Sequence, residues 1–123
     1  MAPNRLLVVA PNGDLRGSLV FALEAEGYEV TAREQLPSLS WLTAQCFDCM
    51  VLDQEALGGE GYESIASCIK AQPVVLLAAR PLSWLTERVS QIVEMPMAGN
   101  AVSAAVREAI EAKASEQAGH AAR

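Results

Sequence analysis

Apolar residues in this chain come in short continuous runs, and stretches with apolar residues at helical spacing separate the runs. Leu6-Leu7-Val8-Val9-Ala10 follows Arg5 and ends in the turn cluster Pro11-Asn12-Gly13-Asp14. Asp48-Cys49-Met50-Val51-Leu52-Asp53 is apolar until its last residue, and Pro73-Val74-Val75-Leu76-Leu77-Ala78 is apolar throughout. Unbroken runs of this length read as strands covered on both faces, since a half-exposed strand would alternate. Two weaker strands are predicted at Glu29 to Thr31 and at Gln91 to Glu94, the second ended by Pro96.

Helices are predicted between the strands. Asn12 or Asp14 caps one that carries Leu15, Leu19, Ala22 and Leu23 and stops at Gly27. Pro37 opens a second, to about Gln45, and a third runs to about Lys70 after Gly58, Gly59 and Gly61. Pro81 opens a short fourth, to about Val89. The last begins near Gly99-Asn100 and carries Val102, Val106 and Ile110. The order is β-α five times, which predicts an α/β fold: a doubly wound, five-stranded parallel sheet with helices on both faces. Such sheets place their sites at the carboxyl ends of the strands. The loops to inspect are Ala10 to Asp14, Asp53 to Gly61, Ala78 to Pro81 and Glu94 to Met97.

With 123 residues, 51% hydrophobic and 20% charged, the chain suits one globular domain. The division expected is a domain over 1–113 and a tail over 114–123, a possible extension of the last helix. That end is rich in alanine, a helix-favouring composition. A net charge of −6 argues against non-specific nucleic-acid binding. No stretch spans a bilayer and no signal segment opens the chain, so a cytoplasmic location is expected.

Candidate chemistry is sparse. The single histidine, His120, lies near the end, which excludes a His-based apparatus in the domain body. Cys46 and Cys49 have C-x-x-C spacing, but they sit where a helix enters a strand and lack a second pair. A buried Cys49 is the plainer reading. Neither Pro11-Asn12-Gly13-Asp14 nor Gly58-Gly59-Glu60-Gly61 has the form of a phosphate-binding loop. The pentapeptide Leu-Ser-Trp-Leu-Thr occurs at Leu39 to Thr43 and again at Leu82 to Thr86. Chance identity is one reading; an apolar surface built from both Trp residues is the other. Asp53 ends an apolar strand at the edge where such sheets act. It reads either as a nucleophile or metal ligand, or as a carboxylate that caps the following turn.

Several segments resemble the receiver domain of response regulators, the phosphoacceptor module of two-component signalling. They are Leu7-Val8-Val9, Leu15-Arg16, Glu26-Gly27-Tyr28-Glu29-Val30, Phe47 to Asp53 with Gly58 and Gly61 after it, Pro73 to Arg80, and Met95-Pro96. The resemblance covers roughly Arg5 to Ile110. It implies the strand order 2-1-3-4-5 and makes Asp53 the match to the phosphoacceptor. It also implies what is missing. The acidic pair that holds Mg²⁺ falls on Ala10 and Pro11, and the Thr or Ser position falls on Ala78. The Lys before the proline of the fifth loop falls on Met95, and the aromatic switch position on Ile92. The proline after the phosphoacceptor falls on Leu57. The segment from Ala78 to Met95 is shorter than in a typical receiver, so the fourth helix should be short or displaced.

Phosphoryl transfer to a carboxylate depends on cations that offset charge on the transferring oxygens. The expectation is therefore a degenerate pseudo-receiver, not an enzyme and with no cofactor. It would act by contact with a histidine kinase, a response regulator or a second copy, and bind neither nucleic acid nor membrane. The docking surface expected from the resemblance comprises Leu82, Trp84, Leu85, Val89, Met97, Val102 and Val106, against the plainer reading that most such apolar helix residues face the core. One alternative is an atypical phosphoacceptor that uses Asp53 and Mg²⁺. Another is a small-molecule sensor that uses the emptied pocket.

Overall fold

The computed structural model describes residues 3–58, 62–96 and 100–121. Five strands, β1 (Arg5–Val9), β2 (Glu29–Arg33), β3 (Cys49–Asp53), β4 (Val74–Ala78) and β5 (Gln91–Glu94), form one sheet. All pairings are parallel, and the order is β2-β1-β3-β4-β5. The connections are α1 (Gly13–Ala25), α2 (Leu39–Gln45), α3 (Tyr62–Lys70) and α4 (Ser83–Thr86), with α5 (Ala101–Ala121) after β5. The predicted fold class and strand order are both found.

The continuous apolar runs are explained by two cores, one on each face of the sheet. Alternate residues of β1, β3 and β4 feed opposite faces, as the pleat requires. Leu6, Val8, Cys49, Val51, Val75 and Leu77 pack under Leu19 and Leu23 of α1 and Val102 and Val106 of α5. Leu7, Val9, Met50, Leu52, Val74 and Leu76 pack under Leu42 of α2, Ile65 and Ile69 of α3 and Leu85 of α4. Fully burying each Leu or Val stabilises the fold by about 1.5–3 kcal/mol, so β1, β3 and β4 carry most of the driving force.

Local chemistry sets the ends. Asn12, not Asp14, caps α1: its Oδ1 accepts from Leu15 N at 3.0 Å. Asp14 lies in the first turn, where its charge favours the helix dipole. Asn12→Ala should lower stability by about 1 kcal/mol in a urea melt; no change would show that the cap contributes nothing. Gly27 takes φ 96° just beyond α1, a left-handed conformation that suits glycine. Ser103 Oγ and Glu26 Oε1, 3.1 Å apart, link α5 to the end of α1.

Four boundaries differ from the sequence reading. β2 continues to Arg33 because it pairs with β1 along its whole length. α2 starts at Leu39, with Ser38 as its cap, so Pro37 precedes the helix. The 3-10 turn Gln54–Leu57 follows β3 directly. α4 is one turn, Ser83–Thr86, and Pro81 lies before it.

The repeated pentapeptide has one structural role in both copies. Leu39 and Leu82 are exposed, Trp41 and Trp84 are half-buried, and Leu42 and Leu85 are buried in the same core. Thr43 Oγ1 donates to Leu39 O and Ser40 O, and Thr86 Oγ1 donates to Ser83 O. Trp41 is not a free apolar surface, since the Arg33 guanidinium lies 4.8 Å from its ring centroid and Phe47 lies 5.6 Å away.

Candidate functional site

The carboxyl ends of β1, β3, β4 and β5 surround a cleft of about 520 Å³. The Asp53 side chain closes β3 and is 7% exposed. Its Oδ1 accepts from Glu55 N at 3.0 Å, so it shapes the 3-10 turn. Asp53 thus makes the turn-forming contact.

Gln54, which the sequence did not single out, joins two walls. Its Oε1 accepts from Leu82 N at 2.8 Å, and its Nε2 donates to Arg80 O at 3.0 Å. The loop after β4 is therefore pinned to the turn after β3. A Gln beside a strand-end Asp has no periodic signature, so sequence offered no signal for it.

Of the residues at the positions that the resemblance marked, Ala78 and Met95 line the cleft with Asp53. Ala78 is the last residue of β4 and lines the cleft with Ala79 and Arg80. Met95 follows β5, lines the cleft, and its N–H donates to Ala78 O at 3.0 Å. The Met95–Pro96 peptide is cis. Ala10 is buried at the end of β1, and Pro11 beside it is exposed. Ile92 lies apart, 37% exposed on β5, and borders a groove against α5 instead. Leu57 is buried in the core over the α2 and α3 face.

At the end of β1 the backbone is held by Arg16 of α1. Arg16 Nη1 donates to Ala10 O at 2.8 Å and to Pro11 O at 3.3 Å, while Arg16 Nη2 lies 3.4 Å from Glu34. Those two carbonyls are engaged by Arg16 and so are not free to ligate a metal ion. Among the described residues, no group of three or more His, Cys, Asp or Glu is placed to hold a metal. Hard divalent cations need several oxygens at once. The carboxylates that line the cleft are Asp53 and Glu55, and neither comes from the end of β1, which makes a weak donor set for Mg²⁺.

The docking surface expected from sequence is corrected in part. Leu85, Val102 and Val106 are buried, at 0%, 7% and 0% exposure. They also lie on opposite faces of the sheet, Leu85 in one core and both valines in the other. Their helical spacing is that of stripes facing inward. Trp84 and Val89 are half-buried against the same core as Leu85. Leu82 is exposed, and Met97 lies outside the described residues.

The C-x-x-C spacing joins two unlike sites. Cys46 is an exposed free thiol with φ 55° at the end of α2, and Cys49 is a buried free thiol in β3. Burial pushes the Cys49 thiol up to about 12, an effect that backbone hydrogen bonding offsets only partly. That pair does not form a reactive dithiol.

No protein-family model matches the chain, and no curated protein matches it in sequence. Solved structures do. A CheY-like response regulator receiver domain protein from Methanospirillum hungatei JF-1 superposes with a TM-score of 0.77 at 17% identity, covering 93% of this chain and 98% of that one. The signal receiver domain of an HD domain-containing protein from Pseudomonas fluorescens Pf-5 gives 0.76 at 15% identity, covering 95% and 93%. The receiver domain of a sensor histidine kinase from Pseudomonas aeruginosa PAO1, with magnesium in its active-site cleft, gives 0.69 at 20% identity, covering 89% and 99%. At these identities the likeness is one of architecture. The chain has the fold of the response-regulator receiver domain.

Proposed function

We propose that this chain is a receiver-fold signalling module of a two-component or related bacterial pathway. It acts by contact with another protein and is not phosphorylated. The observation that carries the reading is the company Asp53 keeps. Ala10, Pro11, Ala78 and Met95 stand at the neighbouring strand ends, and Arg16 occupies the two carbonyls after β1. An acyl phosphate at Asp53 would lack the metal and ammonium that offset its charge. The partner expected from the fold is a histidine kinase, a response regulator or a second copy.

The test is an amide NMR spectrum of the chain with and without Mg²⁺ and beryllofluoride, which mimics a phosphoryl group on a carboxylate. The expected result is no saturable shift at Asp53 or its neighbours. Saturable shifts there, abolished by Asp53→Asn, would establish Asp53 as a working phosphoacceptor and end the proposal.

A further inference from the structure

We infer that the cleft at the carboxyl ends of the strands takes a small molecule with a primary ammonium group and a short apolar body. The first support is a carboxylate that lines the cleft with one oxygen open to it. Asp53 is 7% exposed and lines the cleft. Its Oδ1 is held by Glu55 N, and Oδ2, for which no partner is found among the described residues, is not sealed from solvent. A carboxylate oxygen that opens to a cleft is a ready acceptor for a cation that brings N–H donors. An ammonium supplies three donors on one charge.

The rest of the lining selects an organic cation over a bare ion. Leu15, Ala78 and Met95 offer apolar surface, and the oxygens for a metal are absent or engaged by Arg16. A volume of about 520 Å³ is in the range of small-molecule sites and far above what one ion fills. Asp53 and Glu55 against Arg80 leave the lining one charge negative, which favours a cation over an anion. The ammonium has two sources, a simple amine or an amino acid whose carboxylate would reach Arg80. This inference goes beyond the docking role. A beryllofluoride response would end the silent-site reading and leave the ammonium test standing.

Three probes share one branched body: isoamylamine carries the ammonium, isocaproate the carboxylate, and L-leucine both. Each is titrated into the full chain and followed by amide NMR. Isoamylamine should give saturable shifts at Asn12, at Asp53 to Glu55 and at Ala78 to Arg80, and isocaproate should give none. Asp53→Asn should weaken isoamylamine by at least about tenfold. Met95→Lys, which sets a competing ammonium in the cleft, should abolish binding, so the idea remains testable if Asp53→Asn unfolds. L-leucine binding tighter than isoamylamine, and weakened by Arg80→Ala, identifies an amino acid; otherwise the amine is the source. The inference is overturned if neither ammonium probe saturates, if isocaproate binds as well as isoamylamine, or if both variants bind like the parent.

Discussion

Leu85→Ala should lower the stability of this domain by about 3–5 kcal/mol, although Leu85 lies in the shortest helix. α4 is a single turn, and the fully buried side chain of Leu85 fills the core beneath it. One turn has little intrinsic stability, so α4 is held in place by this buried side chain, and its loss removes both the burial and the anchor of the turn. Leu82→Ala, three residues earlier and 43% exposed, should change stability by less than about 0.5 kcal/mol. Urea melts of both variants give the comparison directly. Equal, small effects would mean that α4 is not anchored as described. The contrast also guides binding work. Loss of a partner with Leu85→Ala would report misfolding, whereas loss with Leu82→Ala would report contact.

The second large effect is expected in thiol chemistry. With its pKa near 12 rather than near 9, Cys49 carries roughly one-thousandth of the thiolate of an ordinary cysteine at pH 8. A thiol-specific disulfide reagent should therefore modify exposed Cys46 quickly, with Cys49 and Cys68 reacting only when the chain unfolds. Three equally fast thiols would contradict the burial. The same shift has a sign in stability. An unfolded thiol ionises near pH 9, while folded Cys49 keeps its proton to about pH 12. Between those values the unfolded chain binds fewer protons. Stability is then complete below pH 9 and falls by about 1.4 kcal/mol per pH unit as pH rises. Tyr28, raised chiefly by burial, adds in the same direction above pH 10. Cys49→Ala should remove the larger part of that slope, and melts between pH 9 and 11 would show it.

The sheet was legible in the sequence because β1, β3 and β4 are buried on both faces, and such strands show as unbroken apolar runs. β2 was harder to bound. Its last residues are held by pairing with β1, a long-range effect that local pattern does not record. Asp53 stood out as a polar stop to an apolar run. Gln54 did not, and the contacts of Arg16 did not, because each acts through backbone atoms of other segments. Leu85, Val102 and Val106 show the limit of reading a surface by resemblance. Apolar helix residues are ambiguous until the sheet is placed, and these three face it.

The bridge made by Gln54 has a thermodynamic consequence. Its amide lines the cleft and also grips the N–H of exposed Leu82. A guest that displaces Gln54 releases Leu82, and a protein that clamps Leu82 holds Gln54 in place. By linkage, whatever factor one occupant applies to the other's affinity is returned unchanged. One side chain thus joins the cleft to an outer face of the domain.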